Sequence, residues 1–273
     1  MTTGSTLDNT IVQVLHPLLH FLCFVPTVRP VKGFYRETVN EYGDVLKFSA
    51  PRTPTVRDLV VFLSALVFAQ AGIQEENQEN RTRVEIPLNA LLKTAGMGRT
   101  QQYKKALRES LENLSHVGYS VYVGEALGKS EYREQIFKVR EKKLPYRYGI
   151  FPGLLGDVVF SEDGATVTVH IHRDFVENLD VHGLRVSLTH VLSMKGHIAQ
   201  LLTFVMYGRQ AWAGTWEQLA KLAQIEDWEE LRWQKKALKK ALDELNGRGF
   251  RVEVGDNLVK IARKKTLGAL IDL

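Results

Sequence analysis

Cysteine is nearly absent from this sequence: Cys23 is the only one in 273 residues. A single thiol excludes disulfide frameworks, cysteine-based zinc sites and Cys-x-x-Cys redox chemistry, and a reducing cytoplasm suits such a chain. Long apolar runs are missing as well. Ile11–Val28 comes nearest, but Gln13, His16, His20 and two prolines interrupt it, whereas a membrane span wants about 20 apolar residues. No basic residue lies in Met1–Asp8 ahead of it, so it lacks the positive region of a signal peptide. A short helix packed on the body, or an interaction arm, is expected there, and no membrane partner. A strong excess of one charge is lacking too. The 36 Lys+Arg against 31 Asp+Glu leave +5, with a pI near 9.2, which permits a polyanionic partner without proving one. At 44% hydrophobic and 25% charged residues, the composition excludes wholesale disorder and fibrous repeats. The length favours two domains at roughly 100–200 residues each.

What the sequence does have is an internal repeat, and this decides the expected fold. Gln101–Glu125 (QQYKKALRESLENLSHVGYSVYVGE) matches Arg232–Asp256 (RWQKKALKKALDELNGRGFRVEVGD) without a gap, with 10 of 25 positions identical. In each copy leucines at i, i+4 and i+7 form one helical stripe: Leu107, Leu111 and Leu114, then Leu238, Leu242 and Leu245. Gly118 and Gly249 follow, where a residue able to adopt φ > 0 can end a helix. The period then changes to two through Tyr119, Val121 and Val123, and through Phe250, Val252 and Val254, the alternation of a half-buried strand.

The flanks lengthen the unit. Leu88–Met97 resembles Trp216–Ile225, and Phe62–Gln70 and Leu201–Arg209 are both apolar helical segments. Gln135–Arg140 and Asn257–Arg263 read as partner strands across short loops of Gly, Asp and Asn, which suit hairpin turns. Helix, short helix, turn, long helix and hairpin thus occur twice. The expected class is α+β, with two tandem winged-helix domains related by the repeat: a 1–50 arm, a first domain over 51–150 and a second over 151–273. Elsewhere, Val84–Ile86 and Thr166–Ile171 read as strands, Arg173–Leu179 as a short helix, and Glu75–Arg83 and Glu141–Gly153 as connectors.

At about 100° per residue, with Leu238 at the centre of the core face, Arg232, Lys235, Lys236, Lys239 and Lys240 share one arc. In the first copy Gln101, Lys104, Lys105 and Arg108 take the corresponding arc. In helix-turn-helix geometry the second helix enters the major groove by its N-terminal residues, where Lys and Arg meet phosphates or guanine edges. These nine residues are the candidate DNA contacts, and Trp233 beside them can pack or stack, packing being preferred. Lys260 and Arg263, with Lys264 and Lys265, add candidates after the second wing; Lys138, Arg140, Lys142 and Lys143 do so around the first.

Two motifs imitate other chemistry. Gly124–Ser130 (GEALGKS) follows a strand, but three residues rather than four separate its glycines, so it is read as a wing loop and no nucleotide is expected. His170-Ile171-His172 has the His-hydrophobe-His form that can hold the metal of a DNA-nicking enzyme. No tyrosine-bearing helix stands out as the nucleophile, Tyr207 lying in an apolar helix, so a structural strand is preferred and no metal or catalytic residue is expected.

Val167–Leu188, VTVHIHRDFVENLDVHGLRVSL, followed by Ser193–Arg209, SMKGHIAQLLTFVMYGR, together with the two helix-and-wing repeats, resembles the replication initiator (Rep) proteins of iteron-type plasmids. The resemblance covers most of residues 55–265. Ser193-Met194-Lys195-Gly196 stands where the family more usually has a Ser-Lys pair. It implies a non-enzymatic, double-stranded DNA-binding initiator whose second domain binds repeated origin sites through Arg232–Lys240. The first domain would bind adjacent DNA through Gln101–Arg108 and form homodimers. It further implies opening of the origin, recruitment of host replication proteins (a helicase or an initiator) and repression of the initiator's own gene. The alternatives are a winged-helix transcriptional regulator or segregation adaptor, and a metal-dependent rolling-circle nickase using His170 and His172.

Overall fold

Helices and short antiparallel sheets alternate along the chain around two apolar cores that share one helix. The structure, a computed structural model, describes residues 10–15, 23–27, 29–39, 45–73, 83–122, 149–151, 154–171, 183–225 and 231–264. In chain order the elements are β1 (Ile11–Leu15), β2 (Lys32–Val39), β3 (Val45–Arg52), α1 (Val56–Ile73), β4 (Arg83–Pro87), α2 (Leu88–Thr94), α3 (Gln101–Ser115), β5 (Gly118–Tyr122), β6 (Gly149–Phe151), β7 (Leu155–Phe160) and β8 (Thr166–Ile171). There follow β9 (Gly183–Ser187), α4 (Leu188–Ser193), α5 (His197–Tyr207), β10 (Ala211–Gly214), α6 (Trp216–Leu222), α7 (Leu231–Asn246), β11 (Phe250–Val254) and β12 (Val259–Arg263). The expected helix Arg173–Leu179, strand Gln135–Arg140 and loop Gly124–Ser130 lie outside the described residues.

The N-terminal segment departs from expectation. Ile11–Leu15 is a strand, not a short helix, and pairs antiparallel with β9 from Ile11↔Ser187 to Leu15↔Gly183. The β-branched Ile11, Val12 and Val14 favour that extended state, and Val12 is fully buried. β2 and β3 form a hairpin that adds two strands to β5 and β6, in the order β2-β3-β5-β6. The described part of the 1–50 region therefore builds sheet instead of standing off as an arm. A second sheet, β4-β8-β7, places Val167, Val169 and Ile171 of β8 in the first core, along with Leu154 and Leu155.

α1 carries that first core, and its N-terminus is locked by a buried ion pair. Asp58, fully buried, accepts two hydrogen bonds from the Arg52 guanidinium, at 2.8 and 2.9 Å. It also accepts the Thr55 backbone N–H at 2.7 Å and the Thr55 hydroxyl at 3.1 Å. Arg52 in turn donates to the Glu109 carbonyl, and its backbone N–H donates to the Asn113 side chain, both on α3. One carboxylate thus caps α1 and pins β3, while Arg52 carries the link to α3. Cys23 is buried against the same core, and burial pushes its thiol up to about 12, so it stays protonated.

At the offset of the repeat, both leucine stripes are buried: Leu107, Leu111 and Leu114 in the first core, Leu238, Leu242 and Leu245 in the second. Gly249 has φ +86 after α7. Gly118 plays no such part, because α3 ends at Ser115 with His116 as its cap and Gly118 opens β5. The α6 N-terminus has a capping box between Thr215 and Gln218. β11 and β12 form the hairpin after α7, with β10 on the outer edge of β12.

α5 serves both cores. Leu201, Phe204 and Val205 enter the first, whereas Ala199, Leu202 and Met206 enter the second. At about 100° per residue the two sets sit on opposing faces. Its N-terminus has no cap of its own; Glu244 of α7 accepts the backbone N–H groups of Lys195 and Gly196. His190 of α4 completes the joint, bonding the Tyr207 hydroxyl at 2.9 Å and the Arg248 carbonyl at 2.7 Å while stacking on Phe250.

Replacing Asp58 by Ala leaves the Arg52 guanidinium unpaired beside a buried site and uncaps α1. Loss of one partner from a buried pair costs roughly 3–5 kcal/mol, so Asp58→Ala should lower the urea unfolding midpoint by an amount a spectroscopic titration resolves easily.

Candidate nucleic-acid interface

The second ridge is built on α7. Its buried side is Gln234, Leu238, Ala241, Leu242 and Leu245. Turned away from these, Arg232, Lys236, Lys239 and Lys240 are exposed and Lys235 is half-buried. All five lie in the N-terminal ten residues of the helix, ahead of Asp243 and Glu244. Five cations on about two and a half turns repel one another, and an anion laid along the arc relieves that repulsion.

Two tryptophans adjoin the ridge. Trp233 does not pack as expected. It is 53% exposed, because at five residues before Leu238 it falls some 140° from the core centre. The Lys236 ammonium lies 5.2 Å from its ring centroid. Trp216, opening α6, is buried; the Lys239 ammonium sits 5.9 Å from its ring, and its indole N–H donates to the Asp256 carbonyl in the β11–β12 turn. Helix, wing tip and α6 are therefore tied through one side chain.

The wing carries less net charge than its residues promise. Lys260 stands opposite Glu253 in register, 4.0 Å from its carboxylate, and Arg251 pairs with the same carboxylate at 2.9 Å. Arg251 was not among the sequence candidates, although its alternation with Phe250 and Val252 already puts it on the outer face. Arg263 is drawn onto the Tyr207 ring, 4.8 Å from its centroid, against α5. Lys264 donates to the Asn246 carbonyl.

The first ridge is shorter. Gln101, Lys105 and Arg108 are exposed on α3 and Lys104 is half-buried. Arg108 lies over Phe160 at 4.9 Å, held by the β7–β8 hairpin. Where α7 has Lys240, α3 has Glu109, which faces Arg57 of α1 at 4.0 Å. The structure thus groups the α7 residues into one open cationic face, leaves the α3 set partly engaged by its own domain, and sets Lys260 and Arg263 in other contacts. Lys138, Arg140, Lys142, Lys143 and Lys265 lie outside the described residues.

His170 of β8 is half-buried on the face opposite Val167, Val169 and Ile171; His172 is outside the described residues. Among the described residues no three His, Cys, Asp or Glu side chains come together to hold a metal, and no helix is long and apolar enough to cross a membrane.

No family model and no curated protein matches this chain. Solved structures do. Domains 2 and 3 of RctB, as a selenomethionine derivative, superpose with a TM-score of 0.61 at 12% identity, over 92% of this chain and 98% of that one. The Pi initiator protein in complex with iteron DNA gives a TM-score of 0.58 at 12% identity, over 95% of this chain and 100% of that one. A second structure of RctB domains 2-3 gives 0.53 at 12%, over 89% and 95%. The likeness to replication initiators read from the sequence holds at the level of the fold, nearly end to end.

Glu253 is the carboxylate that restrains the wing. Glu253→Gln releases Arg251 and Lys260, so the variant should elute from a heparin column at higher salt than the unsubstituted chain. Unchanged elution would mean that these two cations do not reach a polyanion.

Proposed function

We propose that this chain is a replication initiator that binds repeated origin sites in double-stranded DNA, acting through two tandem winged-helix domains and without catalysing a reaction. The observation that carries this reading is the five-cation arc of Arg232, Lys235, Lys236, Lys239 and Lys240, set on the N-terminal part of a helix that follows α6 and precedes a β-hairpin. The fold shared with an initiator that has been solved on iteron DNA supports it. So does the repeat, since a second helix of the same build, α3, offers Gln101, Lys104, Lys105 and Arg108 to an adjacent stretch of DNA.

In this reading α7 lies in the major groove. Arg232, nearest the helix start, reads a base edge, while Lys235, Lys236, Lys239 and Lys240 neutralise phosphates. Lys260 and Arg263 add backbone contacts if Glu253 and Tyr207 release them. The weaker α3 ridge, with Glu109 in place of a fifth cation, positions more than it specifies. Origin opening, recruitment of host replication proteins, homodimer formation through the first domain and repression of the chain's own gene belong to the same reading. Such a protein operates in the cytoplasm.

The test is a footprint of the purified chain on DNA flanking its own gene. Protection of several same-direction repeats spaced by about 20 bp, two helical turns, is the expected result. A single inverted repeat over a promoter would make the chain a regulator, and no sequence-specific protection would remove the groove assignment. Lys235→Ala and Lys239→Ala should weaken binding on every sequence and each reduce the salt slope by about one. Arg232→Ala should also relax specificity, at a cost of roughly 1–3 kcal/mol at one base pair.

A further inference from the structure

The five cations of α7 account for attraction to a polyanion, yet the side chain standing among them is an indole. Trp233 is the third residue of α7, at the end that the proposed docking turns toward base edges, and its sequence neighbour Arg232 and its helical neighbours Lys236 and Lys240 are all cationic. Slightly more than half of it is exposed to solvent, in a protein whose other three tryptophans include Trp216, almost wholly buried in the second core. An exposed indole costs hydration free energy in the unbound chain. Packing does not require it there, since Gln234, Leu238 and Leu242 fill the buried side of the helix. The Lys236 ammonium, 5.2 Å from the ring centroid, supplies a cation–π contact that restrains the ring beside a phosphate-seeking group.

We infer that Trp233 is a specificity-determining residue that makes an apolar contact with the C5-methyl group of a thymine in the major groove. The inference rests on the DNA-binding reading and deepens it. Lysines on this helix see every sequence alike through phosphates. Thymine alone among the four bases offers the major groove a methyl group, and apolar side chains are what recognise it. A planar side chain already flanked by cations can cover that methyl while Lys236 and Lys240 hold the adjacent backbone. Trp233 and Arg232 then read neighbouring positions from one turn of helix, one by apolar contact and one by hydrogen bonds. The first copy has Gln102 at the corresponding place, so this contact belongs to the second ridge only.

The measurement replaces each thymine of the footprinted site, one at a time, by deoxyuridine, which removes the methyl and nothing else. Affinities are taken for the unsubstituted chain, Trp233→Ala and Lys239→Ala at fixed salt, with circular dichroism to confirm that each variant keeps its helices. At one thymine the unsubstituted chain and Lys239→Ala should lose about four-fold in affinity, the worth of one buried methyl, and Trp233→Ala should lose nothing further there. If no thymine responds, or Trp233→Ala responds as fully as the unsubstituted chain, the assignment is overturned while the initiator reading stands. If Trp233→Ala binds the intact site undiminished, the assignment is likewise overturned. Absence of any site-specific binding by the unsubstituted chain would overturn both together.

Discussion

The constraint on which the rest of this structure depends is that α5 is apolar on two opposed faces. A helix of that kind has no side to give to water, so it must be enclosed, and here it is enclosed by two different cores. Leu201, Phe204 and Val205 commit one face to the assembly around α1; Ala199, Leu202 and Met206 commit the other to α6, α7 and the wing. Glu244 and His190 then fix the joint by polar contacts that tolerate little displacement: two backbone N–H groups on one carboxylate, and an imidazole bonded on both nitrogens. The two helices that carry the cationic ridges are consequently not tethered by a loose connector.

On that frame, electrostatics separates the halves. The two long helices share a buried stripe and a basic arc by descent of pattern, but their surroundings differ. The α7 arc is largely exposed; Trp233 beside it faces solvent, and Trp216 of α6 bonds the wing tip. α3 has Phe160 beneath Arg108 and an acidic residue where α7 has Lys240. Similar sequences thereby acquire different capacities from what packs beside them.

The local elements were legible in the sequence wherever one period dominated. The leucine stripes at i, i+4 and i+7 are the buried faces of α3 and α7, and Thr166–Ile171, alternating Thr with aliphatic residues, is the strand of that range. What the sequence does not show depends on distant partners. Ile11–Leu15 is a strand because β9, far along the chain, offers it an edge, and no local signal names that edge. Glu244 reads as an ordinary surface carboxylate until the turn before α5 is brought against it. Trp233 was expected to pack because tryptophans usually do; its angle from Leu238 argued otherwise and was the available clue. Gly118 follows the last turn of its helix much as Gly249 does and reads as a helix stop, whereas His116 already ends that helix. For the ridge, residue type and helical angle sufficed to group the α7 cations, but not to foresee Glu253 and Tyr207 engaging the cations of the wing.

The pairing of β1 with β9 also sets a schedule. The Thr10 backbone N–H donates to the Thr189 hydroxyl across 179 positions of sequence, so β1 and the residue leading into it are not fully paired until residue 189 has been made. At about 5–20 residues per second of synthesis, that interval is roughly 10 to 35 s. Throughout it Val12 and the edge of β1 lack their partner, while β2, β3 and α1 are made and become available to condense. β1 is therefore made long before the strand that pairs with it. A chain released before residue 189 would carry an open strand edge with nothing to close it.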